Sequence, residues 1–381
     1  GGDITIDANT PVISSATVAG GTKKIGDAFT LTVVADAAGY TLSSGTLNGV
    51  AVTGFSSSGS TYTMTYTVVS GNSDRTAGNT PVSVVLDDGE NTNAAHTTLV
   101  ETNALVIDAN APVATTSVTG TADSLGVGDT ITLTIAASET SLTCSACTMN
   151  SGTLTSFASS GGNSYTAVYT VVEGQTDRAS GASNFISIVL SDAAGNTNAA
   201  FVTLTESGGD ITIDANTPVI SSATVTGGTA KIGDAITVTV AAVTAGYTLG
   251  TSTMNGVNLA GFNDAGSGSY TMTYTVVEGN TDRAAGATPI SIILTDSFGN
   301  TNTAYTSLTE SSALTVDATK PTLTITMASD NDDTTLAMLA DDIILTLTAS
   351  ETVTGLVCTL DGEATTMGGS GTSWTSTLTV S

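Results

Sequence analysis

Carboxylates are the side chains placed regularly enough in this sequence to do chemistry together. Asp27, Asp74 and Asp108 recur as Asp129, Asp177 and Asp214, and again as Asp234, Asp282 and Asp317. Asn110 and Asn216 follow Asp108 and Asp214 by two residues. Asp192 and Asp296 open turns of the form Asp-x-x-Gly-Asn that end in Asn196 and Asn300, and Glu139 and Glu351 share one position in alternate units. Hard oxygen donors without sulfur or imidazole are the ligand set of Ca²⁺. Clustered carboxylates repel unless a cation neutralises them, and a bridging ion would stiffen whatever hinge they surround. The same residues carry a second reading, because Asp and Asn form turns and cap strand ends with their own side chains. No contiguous loop of the EF-hand type is present.

Other chemistry is harder to assemble. His96 is the single histidine, so neither a zinc site nor a nucleophilic triad can be built around imidazole. Cys144-Ser-Ala-Cys147 has the spacing of a redox motif but lies between strands with no helix after it; a local disulfide or two small buried residues are its readings. Cys358 aligns with Cys147 and has no evident partner. Lys24 and Lys231 precede a Gly-Asp turn and read as solvated lysines rather than isopeptide donors. The Thr-Asp-Arg turns predict ion pairs of Arg178 with Glu173 or Asp177, and of Arg283 with Glu278 or Asp282.

The elements that must position these residues are repeats. The run GGDITIDANTPVISSATV opens the chain and recurs from Gly208, a period of 207 residues. Within it, Asp7-Ala-Asn-Thr-Pro11 is echoed at Asp108, Asp214 and Asp317, at steps of 101, 106 and 103 residues. Units of this length match independent sandwich domains rather than solenoid repeats. Segments such as Ile131-Thr-Leu-Thr-Ile135 and Tyr62-Thr-Met-Thr-Tyr66 alternate with period two, the signature of half-buried strands. About seven such strands per unit, without helical periodicity, predict an all-β chain of tandem immunoglobulin-like antiparallel β-sandwich domains arranged end to end. The expected division is a last strand of a preceding or donor domain at 1–7, domains at 8–108, 109–214 and 215–317, and an incomplete domain at 318–381.

That topology places the acids at the domain junctions. At the first, Asp27 and Asp74 approach from below, Asp108 and Asn110 lie in the linker, and Glu139, Asp192 and Asn196 come from above. The second gathers Asp129, Asp177, Asp214, Asn216, Asp296 and Asn300. The third gathers Asp234, Asp282, Asp317 and Glu351.

Composition bounds the partners. A net charge of −27 with seven Lys and Arg residues argues against nucleic acid and anionic lipid, whose phosphates need a basic patch. All three arginines occupy one repeat position, Arg75, Arg178 and Arg283, so they form none. No apolar run is long enough to span a bilayer, so no membrane insertion is expected in this segment. One Trp and 4% aromatic residues, mostly on core faces, leave little for a sugar platform.

The terminal Asp-Ala-Gly-Asn turn, paired with a linker Asp-x-x-x-Pro, resembles the bacterial immunoglobulin-like repeat domains of giant surface adhesins and extracellular fibre proteins, along the whole chain. The resemblance implies a secreted, non-enzymatic, cell-surface structural or adhesive array forming an elongated filament or adhesin stalk. It also adds weight to Ca²⁺ at the linkers. Self-association into a filament or lateral array is the expected partnership, with a host-surface or glycan ligand left to domains outside this sequence. Two alternatives stay open: a surface-layer coat protein, and a filament subunit polymerised by strand exchange. A window on a longer periodic chain is the preferred reading of the ends.

Overall fold

The computed structural model describes residues 2, 6–119, 124–182, 185–206, 209–360 and 362–381. Among them every regular element is a β-strand, as the threonine-alternating segments require, since β-branched side chains pack well on a pleated surface. In the first module β1 (Ile13–Val18), β2 (Gly21–Lys24), β3 (Ala28–Ala35), β4 (Thr41–Leu47), β5 (Val50–Ala51), β6 (Thr53–Ser58), β7 (Thr61–Thr67), β8 (Val82–Asp87), β9 (Val100–Glu101) and β10 (Leu105–Asp108) follow in order. One sheet runs β6-β7-β3-β1-β9 and the facing sheet β5-β4-β8. Bridges Asp87↔Thr92 and Val84↔His96 extend the second sheet beyond β8.

Register explains the core. Phe29, Leu31 and Val33 lie opposite Tyr66, Met64 and Tyr62 in the β3–β7 pair, and all six are buried. The intervening threonines take the outer face, so one period-two pattern serves both core and surface. The tyrosine hydroxyls stay satisfied inside: Tyr62 donates to Ala37 O at 3.0 Å and Tyr66 to Asn72 Oδ1 at 2.9 Å. Strand β10 closes the module by running parallel to β2, Leu105 beside Gly21 through Asp108 beside Lys24. A Cβ on Gly20 would lie 1.8 Å from Asn103 O, and one on Gly227 1.7 Å from Ser312 O. The approach to that parallel pair therefore demands glycine in both modules.

Among the described residues three separate cores follow, spanning Ala16 to Ala109, Ala114 to Ala215 and Ile220 to Ala318. The chain divides into two compact units, Gly1–Asn216 and Thr217–Ser381. The first unit holds modules one and two, and the second holds module three and residues 318–381. In that last segment Leu323–Ser329, Asp342–Ala349, Ser373–Thr379 and Gly368–Ser370 form one four-stranded sheet. Trp374 lies opposite Leu347 there as Tyr62 lies opposite Val33. Of the segment 1–7, positions 1 and 3–5 lie outside the described residues; Ile6 is 86% exposed. Among the described residues no helix is long and apolar enough to cross a membrane.

Candidate functional site

Each linker is gripped by the module before it. The alanines of the Asp-Ala-x-x-Pro linkers, Ala109, Ala215 and Ala318, are fully buried in the preceding core. Their N–H groups are taken by Asp74 (2.8 Å), Asp177 (2.9 Å) and Asp282 (2.7 Å). Their carbonyls accept from Gly71, Gly174 and Gly279 at 3.0, 2.8 and 3.2 Å. The same three aspartates reach the side chain that follows each alanine, Asn110 Nδ2, Asn216 Nδ2 and Thr319 Oγ1, at 2.8, 2.8 and 2.9 Å. A buried amide must find an acceptor, so the Thr-Asp-Arg turn fixes where the chain leaves each sandwich. Linker carboxylates cap their own turns: Asp108 Oδ1 accepts from Asn110 N, Asp214 Oδ1 from Asn216 N, and Asp317 Oδ1 from Thr319 N.

At the junction of modules one and two the upper partner is the Asp192–Asn196 turn. Asp192 is buried and accepts from Gly195 N, Asn196 N and Asn196 Nδ2 at 2.7, 2.8 and 3.0 Å. This presents Asn196 downward. Its Oδ1 accepts Ile25 N at 2.8 Å and its Nδ2 donates to Asp108 O at 3.2 Å. One asparagine of module two thus holds both the β2–β3 turn and the linker end of module one. The Lys24 stem lies beside Gly195, 3.4 Å from where a Cβ would stand. Nothing in the sequence singles Asn196 out as this latch rather than as one more oxygen ligand; its three partners lie far apart in the chain.

Two carboxyls at this latch, Glu139 and Asp108, feel the charges around them. Burial pushes the Glu139 carboxyl up, and the charges of Asp192, Asp108 and Asp74 push it further. Asp108 is likewise raised, first by burial; the N–H of Asn110 opposes this, and Asp192 and Asp74 add to it. Glu139 is positioned from the core, because Tyr165 donates its hydroxyl to the Glu139 carbonyl at 3.3 Å. Asp27 stays with its own turn, its Oδ2 accepting Lys24 N at 3.0 Å with Lys24 Nζ 4.0 Å away.

The remaining acids divide between the two units. In the first, Asp129 Oδ2 caps Gly126 N at 2.9 Å. In the second, Asp234 Oδ2 caps Lys231 N at 2.9 Å, and Asp296 accepts from Phe298 N, Asn300 N and Asn300 Nδ2. Glu351, the counterpart of Glu139, has a buried Oε1 with no hydrogen-bond partner. Among the described residues no three His, Cys, Asp or Glu side chains form a ready-made metal-holding group.

The arginines correct one expectation. Arg178 pairs with Glu206, Nη2 to Oε1 at 2.7 Å, and Arg283 donates from Nε to Asn255 Oδ1 at 2.7 Å. Asp177 and Asp282 are occupied by linker amides, and Glu278 meets Lys320 at 2.5 Å. Cys144 and Cys147 form a disulfide, Cys358 is free, and His96 Nε2 meets Thr98 O at 2.9 Å.

A sequence comparison agrees with the class for one module. Residues 108–207 match the family model described as a bacterial Ig-like domain. The second module is therefore such a domain, and its neighbours share its linker, turn and tyrosine positions. The chain is a tandem of immunoglobulin-like modules, of which the second matches the bacterial family model. No curated protein matches it significantly. Among solved structures it is similar to the ICAM-5 D1–D4 ectodomain fragment, with 10% identity over 98% of this chain and 99% of that one, at a TM-score of 0.24. It is also similar to the D00–D0 domain of intimin, with 16% identity over 54% and 98% and a TM-score of 0.17. The fold assignment rests on strand order and register, not on those scores.

Proposed function

We propose that the chain is a non-enzymatic, extracellular structural or adhesive array whose modules serve as a cell-surface stalk or filament, stiffened by Ca²⁺ at junctions. The observation that carries this reading is the first junction. There a hydrogen-bonded latch ties module two to the exit of module one, and the carboxyls of Glu139 and Asp108 are raised by burial and by neighbouring acids. Asp108, Glu139 and backbone carbonyls would supply oxygen ligands, while Asp74 and Asp192 are already committed to N–H groups. The bare buried Oε1 of Glu351 supports a cation at the corresponding place in module four. A bound Ca²⁺ supplies charge neutralisation and no reaction. What repeats is the grip on the linker, which adds reach rather than a pocket.

The test is calorimetric unfolding of the full chain with Ca²⁺ and with chelator, alongside small-angle scattering. A raised midpoint and a narrower size distribution with Ca²⁺ are expected; identical traces would remove calcium from the proposal. Electron microscopy of the native assembly addresses the rest. Filaments support the stalk reading, whereas a two-dimensional lattice would favour a surface-layer coat.

A further inference from the structure

Module two breaks an aromatic stack that its sister modules share. In module one Tyr40 lies nearly parallel to the buried Tyr62, with ring centroids 6.1 Å apart at 14°, and Phe55 stacks on the same ring at 5.6 Å and 15°. Module three repeats this with Tyr247 and Phe262 on Tyr270, at 6.1 and 5.4 Å. Module two keeps two of the three rings, Phe157 on Tyr165 at 5.1 Å and 9°. The third place falls to Leu142. Its N–H meets the Tyr165 hydroxyl at 3.1 Å, as those of Tyr40 and Tyr247 meet Tyr62 and Tyr270 at 3.0 and 3.1 Å, so the three positions correspond. The leucine still closes the floor, since Tyr165 is 2% exposed. It lacks the outer part of a tyrosine ring and the hydroxyl beyond it.

A cleft of about 690 Å³ opens at that place, a size ordinary for small-molecule sites. It is bounded by Leu142, Phe157 and Tyr165, the counterparts of all three stacked rings, and by Cys144 of the disulfide. Phe157 and Cys144 are half-buried and so can be touched from solvent, while Ser141 and Ser159 stand exposed at the rim. We propose that the cleft receives the side chain of an exposed tyrosine on a partner protein, its phenol ring taking the place that Tyr40 and Tyr247 fill in their own modules. The occupant follows from those modules, where the matching surface holds a tyrosine. The ring face of Phe157 and the polarisable sulfur of Cys144 favour an aromatic face over an aliphatic chain. Tyr40 donates its hydroxyl to Asp36 Oδ1 at 3.0 Å; at the rim of module two Ser141 and Ser159 offer hydroxyls instead. A second copy of the chain is not the donor, because among the described residues every aromatic side chain is buried or half-buried. A net charge of −27 directs the choice to a tyrosine standing on neutral or basic surface. The site stands whether or not Ca²⁺ occupies the junction.

The test is titration of the full chain with N-acetyltyrosine amide, reading the methyl resonances of Leu142 and Thr143, which the ring current of a seated phenol shifts. Concentrations reach about 20 mM, because a single ring gives millimolar affinity. Saturable shifts are expected with the tyrosine amide and none with N-acetylleucine amide, while the methyls of Leu42 and Leu249 in modules one and three stay in place. Leu142→Tyr installs the sister residue and weakens binding at least about tenfold, read at Thr143. Should that variant not fold, Ala158→Trp puts a bulky side chain at an exposed position of the cleft wall and has the same effect. The proposal is overturned if the tyrosine amide moves neither methyl, if the leucine amide binds as tightly, or if a folded variant binds as the parent does.

Discussion

Replacing Asn196 with alanine isolates the coupling between modules one and two. The change deletes two bonds that cross the junction, from Ile25 N at 2.8 Å and to Asp108 O at 3.2 Å. It also deletes one inside module two, to Asp192 Oδ2 at 3.0 Å. Each net hydrogen bond contributes about 0.5–1.5 kcal/mol. The Ile25 and Asp108 groups are only partly buried, so water recovers some of this. The expected loss across the junction is about 1–2 kcal/mol, roughly a factor of 5–30 in the closed-to-open ratio. Native-state amide exchange reads it directly, because Ile25 N–H is held by Asn196 whereas the amides of β3 are held by their own sheet. Ile25 exchange accelerates by that factor while Leu31 and Val33 do not change. Unchanged Ile25 exchange would show that the junction opens without breaking this bond. Equal acceleration in β3 would show that the variant weakens module one itself, and either result would refute the latch.

Further perturbations address the charges, the tyrosine scaffold and the disulfide. Asp108 and Glu139 have raised carboxyl pKa values, so the folded junction holds protons that the unfolded chain releases. Their contribution to stability is present below the ordinary carboxylate range near pH 4 and is lost as pH rises through the raised values. In chelator the midpoint of the unit falls over that window, Ca²⁺ flattens the fall, and D108N/E139Q abolishes it; a parent-like slope in the double variant would refute the assignment. Tyr165→Phe removes the bonds to Glu139 O and from Leu142 N, costing about 1–2 kcal/mol in denaturant unfolding. It should also reduce any Ca²⁺ effect, as Glu139 loses its backbone support. Leu42 and Gly45 hold the places of Cys144 and Cys147 in module one, with the Gly45 Cβ position 3.3 Å from Leu42 Cδ1. The variant C144L/C147G therefore folds, losing no more than about 2 kcal/mol given the short loop closed. Failure to fold would show the disulfide to be essential.

Strands, register and core were legible because a single period-two pattern dictates them; Tyr62, Met64 and Tyr66 announce one face of a strand wherever they recur. The acids were legible as a set, since each occupies a turn whose place in a sandwich is known. Which oxygen meets which amide was not. Asp74, Asp177 and Asp282 look like free ligands in sequence, yet a buried alanine 35 or more residues downstream consumes one oxygen of each. The pairs expected of Asp177 and Asp282 inside the Thr-Asp-Arg turns failed for the same reason. Local charge proximity lost to the need to satisfy a buried linker amide, a partner fixed only by the closed fold. Arg178 was unreadable in another way: its guanidinium lies 3.7 Å from the ring centroid of Phe185, where modules one and three carry Pro81 and Pro289.

That substitution bears on how a repetitive chain can carry specificity. Identical modules must spend the same side chains on the same tasks: capping the linker, satisfying the tyrosines, closing β10 on β2. A departure from the repeat is therefore either neutral or local to a new task, and module two concentrates several departures, among them Glu139, the Cys144–Cys147 pair and Phe185 with Arg178. The cysteines occupy space that Leu42 and Gly45 fill elsewhere, so they replace one packing solution by another. Glu139 adds charge where charge is already crowded, and Phe185 leaves a buried cation with unmade bonds. Both are unfavourable for the isolated module. The acid recurs at Glu351, where one buried oxygen has no hydrogen-bond partner, so the first cost is part of the repeat. Phe185 has no such echo in module one or three, where proline stands, and so the second belongs to module two.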